Sequence, residues 1–111
     1  MRIILQLLAI LFVLQSCSKK DDTSQIERGR LLVEESDCKT CHHVSNTIMG
    51  PAYAAVAKKY EATDSNTEML AKRIIEGGSG VWGKLPMTPH TDLSPEDAQA
   101  MARYILSLND Q

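Results

Sequence analysis

The sequence predicts an all-α domain, and three observations carry that prediction. Ser24-x-x-Glu27, Ser65-x-x-Glu68 and Ser94-x-x-Asp97 each have the spacing of a capping box. Apolar residues behind these starts recur at helical intervals, and no stretch alternates like a strand. With 111 residues and 5% aromatics, the chain supports one domain whose side chains alone make a thin core.

Helix one is expected over Gln25 to about Ser36, with Ile26, Gly29 and Val33 inward and Glu27, Arg30 and Glu34 outward. After Gly50-Pro51, residues Tyr53, Val56, Ala57 and Tyr60 follow an i, i+3, i+4, i+7 pattern. The next helix is expected over Thr67 to Glu76, with Leu70, Ala71, Ile74 and Ile75 inward and Gly77-Gly78 as its stop. The last opens with Pro95 at its first position and runs to about Leu108, aligning Ala98, Met101, Ala102, Ile105 and Leu108.

Chemistry concentrates in Cys38-Lys39-Thr40-Cys41-His42. C-x-x-C-H is the spacing for covalent attachment of one c-type haem: two thiols bond the porphyrin and the imidazole faces the iron. A structural zinc site needs a second ligand pair, and none follows at zinc spacing. A thioredoxin-like pair belongs beside a βαβ pattern, which is missing. The net charge of −2 argues against a nucleic-acid partner.

Residues 1–16 read as a signal peptide, with Arg2 as a positive start and an apolar run from Ile3 to Leu14 too short to span a bilayer. Leu14-Gln15-Ser16-Cys17 resembles a bacterial lipobox, although Gln15 departs from its commonest pattern. That resemblance implies cleavage after Ser16 and lipidation of Cys17. Cysteine arithmetic agrees, since two of the three cysteines belong to the haem motif and Cys17 has no partner left within the chain. Residues 17–24 then form a lipidated, polar tether and 25–111 the domain. Seven extended residues reach at most ~23 Å, which keeps the domain near its membrane.

An electron-transfer haem needs a sixth ligand. Met1 leaves with the signal, Met69 and Met101 lie in periodic helices, and Met49 follows His42 too closely to reach the opposite face. Met87 sits in a glycine-rich loop after Pro86, far enough along the chain to circle the ring. His90 has three readings: it tunes the sulfur, replaces Met87 in a partly unfolded state, or is a part-exposed loop residue. His43 is read as surface.

From about Gln25 to Leu108 the chain resembles a small bacterial class I cytochrome c. The resemblance rests on Cys38-Lys39-Thr40-Cys41-His42, Met49-Gly50-Pro51-Ala52-Tyr53 and Gly80-Val81-Trp82-Gly83-Lys84-Leu85-Pro86-Met87, extended by Ala71-Lys72-Arg73-Ile74 and Arg103-Tyr104-Ile105-Leu106-Ser107. It implies four or so helices wrapped round one haem c, bonded at Cys38 and Cys41, with His42 and Met87 as iron ligands. It also implies that the Pro51 carbonyl accepts from His42, that Arg73 and Trp82 bind propionates, and that Gly29 and Tyr104 lie near the crossing of the terminal helices. The family's loop often follows its methionine with proline and an amide residue, whereas this chain has Met87-Thr88-Pro89-His90.

The implied activity is one-electron exchange, not enzymatic turnover, by a monomer tethered through Cys17 and facing the periplasm, with the outer membrane or cell surface as other addresses. Its partners would be a protein donor and acceptor, such as a membrane oxidoreductase or terminal oxidase. A gas sensor or small peroxidase with a labile sixth ligand is the competing class.

Overall fold

A computed structural model describes residues 21–110; the expected signal peptide, Cys17 and residues 18–20 of the expected tether lie outside them. Among the described residues the regular elements are helices, together with one isolated antiparallel bridge between Gly78 and Met87.

The first helix, α1, is already helical at residue 21 and continues to 35. Ser24 therefore lies inside it and does not cap it, and residues 21–24 of the expected tether are helical. The outward face is as expected: Arg30 donates to Glu27 at 2.6 and 3.0 Å and to Glu34 at 2.6 Å. That guanidinium holds the Glu27 carboxyl below its ordinary range. Gly29 and Val33 are buried on the other face, with Ile26 half-buried. The helix ends where the Ser36 hydroxyl donates to Leu32 O at 2.6 Å, a side-chain bond that competes with the next turn.

A 3-10 helix, Asp37–Thr40, follows directly. The chain then loops to α2, Tyr53–Lys59. No side chain caps α2; instead the Tyr53 and Ala54 N–H groups donate to the carbonyls of His43 and Val44 at 3.0 Å. The loop after His42 thus satisfies the exposed end of the next helix.

Helix α3 is Asp64–Glu76 and is capped by Thr63, whose side chain accepts from Asn66 N at 3.1 Å. The Ser65 cap is incorrect by two residues. Starting at Thr63 adds nearly a turn, places Asp64 at the positive end of the helix and lets the buried Thr67 hydroxyl donate to Thr63 O at 2.8 Å. Gly77 stops α3 with φ 69°, and its N–H donates to Arg73 O at 2.8 Å. Helix α4, Pro95–Leu106, begins as expected, with the Ser94 side chain accepting from Asp97 N at 3.1 Å.

Helix α4 is the hub, packing against α3 and α2. Its Ala98, Ala100, Met101, Ala102 and Leu106 are buried, a broader face than the expected line because α1 also crosses here. A Cβ built on Gly29 would lie 1.9 Å from the Ala100 carbonyl oxygen, so the two backbones touch. Arg28 pairs with Asp97 across the same crossing. Arg103 draws three helices together, reaching Asp22 of α1 at 3.6 Å and Asp64 of α3 at 3.2 Å. Val33, Tyr53, Ile74, Met101 and Ala102 form the buried cluster, with Met87 and Tyr104 packed against it.

Gly29→Ala is expected to lower unfolding free energy by about 2 kcal/mol or more, because the added methyl meets backbone. Leu31→Ala, at an exposed position on the same helix, should stay within about 0.5 kcal/mol. Denaturant titrations followed by circular dichroism compare the two.

Candidate functional site

The site is built on the short 3-10 helix. Two backbone donors, Cys41 N at 3.1 Å and His42 N at 2.9 Å, converge on Cys38 O. This turn holds Cys38, Cys41 and His42 as one rigid unit. Cys38 and Cys41 are both half-buried. Burial pushes the Cys38 thiol upward and the Asp37 carboxylate adds to the shift.

His42 is fixed from three sides. Its Nδ1 lies 2.7 Å from Pro51 O, which makes Nδ1 the donor and leaves Nε2 to face a ligand. A Cβ on Gly50 would come within 2.5–3.0 Å of three ring atoms, so only glycine allows the loop this close. The Tyr53 ring stacks on the imidazole with centroids 5.5 Å apart and planes 22° apart. Gly50 N in turn donates to Cys41 O at 2.7 Å, tying the loop back to the motif.

Met87 is held at its own backbone. Its N–H donates to Gly78 O at 2.8 Å, and Gly78 N donates to Met87 O at 3.2 Å. Its side chain is half-buried against the core cluster. Arg73 is exposed, and its guanidinium donates to Gly77 O at 3.3 Å, beside the same turn. Trp82 is 46% exposed, with the Lys59 ammonium 5.8 Å from its ring and 5.6 Å from that of Tyr60. The structure thus gathers Cys38, Cys41, His42 and Pro51 into one unit and joins Met87 to the turn that Arg73 braces. It records no contact between Arg73 and Trp82.

The ring nitrogens of His90 are both placed against oxygens. Its Nδ1 lies 3.3 Å from Ile74 O and its Nε2 3.0 Å from Asp37 Oδ1. His43, expected at the surface, is exposed there and also closes a turn: its Nδ1 accepts from Ser45 N at 3.1 Å and Asn46 N at 3.2 Å. The stacking of Tyr53, the closeness of Gly50 and the Asp37–His90 pair escape sequence reading. The first two had a signal in the order Gly50-Pro51-Ala52-Tyr53, because a glycine before the accepting proline marks close approach.

The residues fit a flat apolar group bonded at the two thiols. Tyr53 is buried and its hydroxyl has no hydrogen-bond partner, which leaves a polar atom for a bound group to satisfy. Burial also keeps that phenol protonated far above its ordinary range. Ile48, Met49, Val81, Trp82 and Leu85 expose apolar side chains from the two loops that follow the motif and precede Met87.

The comparisons point the same way. A family model described as Cytochrome c matches residues 26–109. Cytochrome c-552 of Nitrosomonas europaea is 42% identical over 77 residues, covering 69% of this chain and 75% of the relative. Cytochrome c-551 of Allochromatium vinosum is 37% identical over 78 residues, covering 70% and 83%. The crystal structure of wild-type N. europaea cytochrome c552 superposes with a TM-score of 0.65 over 69% of this chain and 95% of that one, at 42% identity. Class 1 cytochrome MtoD from Sideroxydans lithotrophicus gives 0.63 over 77% and 97%, at 26% identity.

Gly50→Ala is expected to turn the His42 ring and lengthen its contact with Pro51, at a cost of about 1–3 kcal/mol in stability. Proton NMR of the His42 Nδ1–H should show faster exchange with solvent in the variant.

Proposed function

The chain belongs to the cytochrome c family as a small class I member, an electron carrier with one haem c covalently bound through Cys38 and Cys41, and from that premise we propose that His42 and Met87 are its two iron ligands. The observation that carries this reading is the 2.7 Å contact of His42 Nδ1 with Pro51 O. It fixes the tautomer, so the free nitrogen is the one that binds metal.

The haem supplies a single iron that cycles between Fe(II) and Fe(III). This chain's residues hold that cycle to one electron with no change of bonds. Gly50, Pro51 and Tyr53 keep the imidazole from rotating, and Gly78 keeps the backbone of Met87 in register. A soft thioether favours the reduced metal and raises its potential. With His42 and Met87 both holding the iron, no position would remain for a substrate. Arg73, Trp82 and the Tyr53 hydroxyl are the donors proposed for the propionates, since buried carboxylates need paired charge or hydrogen bonds.

Tethering through lipidated Cys17 and exchange with a membrane oxidoreductase or terminal oxidase on the periplasmic side complete the proposal. The lipobox-like Leu14-Gln15-Ser16-Cys17 supports it. Among the described residues no helix is long and apolar enough to cross a membrane. Because residues 21–24 are helical, the reach from Cys17 to the domain shortens from ~23 Å to about 16 Å, counting ~3.3 Å per extended and ~1.5 Å per helical residue.

The optical spectrum of the purified protein tests the ligand set. A weak near-infrared sulfur-to-iron band when oxidised, with a reduced spectrum indifferent to carbon monoxide, is the expected result. Rapid carbon monoxide binding without that band would put the sensor or peroxidase class in its place. Met87→His should retain the haem and lower the reduction potential; an unchanged potential rejects Met87 as ligand. Expressed with its native leader, Cys17→Ser should move the cytochrome from the membrane pellet to the soluble fraction with its spectrum unaltered.

A further inference from the structure

His90 is the one histidine among the described residues whose two ring nitrogens are both placed against acceptors from other parts of the chain. Nδ1 faces Ile74 O at the end of α3, and Nε2 faces the Asp37 carboxylate at 3.0 Å. Its backbone N–H also donates to Ile75 O at 3.0 Å. The side chain of His90 is 21% exposed and that of Asp37 76%. Three parts of the molecule therefore meet at one imidazole: the loop three residues past Met87, the end of α3, and the residue just before Cys38. The neutral ring donates to one of its two acceptors and the charged ring to both.

We propose that His90 is a positioning residue for Met87, and that its bond to Asp37 latches the sulfur-bearing loop onto the haem-attachment turn. The inference rests on Met87 being the sixth ligand. Met87 itself is held by the Gly78 pairing, through both its N–H and its carbonyl oxygen. On its C-terminal side Thr88 and Pro89 are exposed, and His90 is the next residue with bonds beyond the loop. Asp37 is joined to Cys38, which carries the haem, so the latch fixes the loop relative to the iron more directly than α3 does. It links residues 53 apart in sequence, which no local turn replaces. Both ring nitrogens are placed against Ile74 O and Asp37, so the effect on Met87 runs through the backbone.

An incoming ligand binds the oxidised iron only when the sulfur has left, so the rate of imidazole binding reads the opening of the loop. Asp37→Ala, an exposed change that leaves the His90 ring in place, should raise that rate about fivefold, the size expected for the loss of one side-chain hydrogen bond. Asp37→Asn keeps an acceptor and should fall between Ala and the natural residue. The double variant Asp37→Ala/His90→Ala should open no faster than His90→Ala alone, because the two side chains act as a unit. Leu106→Val, a core change in α4, serves as the stability control: at matched loss of stability it should leave the imidazole rate unchanged.

Equal rates in Asp37→Ala and the natural protein, with the sulfur-to-iron band present in both, overturn the latch while leaving Met87 as ligand. A comparable rise in Leu106→Val overturns it too, since opening would then be global. Absence of the band from the natural protein overturns the latch together with the ligand assignment beneath it. Hydrogen exchange at the backbone amide of His90 gives a readout independent of the haem and should quicken in Asp37→Ala alone.

Discussion

The fixed orientation of His42 is the constraint on which the rest depends. An imidazole on a surface turn rotates freely unless both its faces and one nitrogen are occupied. Here the Pro51 carbonyl takes Nδ1, Tyr53 covers a face and the missing side chain of Gly50 lets the loop close on the ring. That arrangement dictates the twelve-residue return of the chain from Cys41 to α2, because Pro51 and Tyr53 must arrive together. It also explains why α2 has no side-chain cap: the loop that delivers Pro51 already presents the carbonyls of His43 and Val44 to its first turn. Orienting His42 and starting the helix are one solution.

A second constraint holds that unit in place. The 3-10 helix leaves α1 without a linker, so any movement of α1 carries the cysteines and His42 with it. Contact between the Gly29 and Ala100 backbones fixes α1 on α4, and α4 is packed on α2 and α3. Tyr53 from α2 and Ile74 from α3 meet Val33 and Met101 in the same cluster. The attachment turn and the turn carrying Met87 therefore share one frame. A rigid frame limits the rearrangement that accompanies a change of iron charge, which is what a one-electron carrier requires.

Much of this was legible in the sequence, for identifiable reasons. Cys38, Cys41 and His42 are readable because covalent attachment imposes their spacing. The start of α4 is readable because Ser94, Pro95 and Asp97 each favour the same end. At α3 two capping residues, Thr63 and Ser65, stand two positions apart, and the choice was made by Thr67, whose burial and bond to Thr63 O exist only in the folded chain. At α1 the polar run 21–24 has no apolar period, and its helical state is supported from a distance by Asp22 and Arg103. Arg73 shows a different limit: its type and place in the helix were read correctly, while its recorded bond is to the end of its own helix.

The loop around Met87 shows why sequence could point to the proposed ligand but not to its support. A methionine after Gly-rich chain and Pro86 carries its own local signature, since the loop lacks a helical period and the proline stiffens it. Asp37 and His90 carry none, each being a residue type found on any surface. Their significance comes from the fold: α3 ends at Gly77, the chain turns back through Gly78 and Met87, and His90 arrives beside the residue that precedes the first haem cysteine. A soft ligand such as a thioether binds a metal without strong directional pull of its own, so its occupancy depends on how firmly the backbone returns it to the iron. The pair of bonds from Met87 itself to Gly78 and the set through His90 three residues on supply that return together.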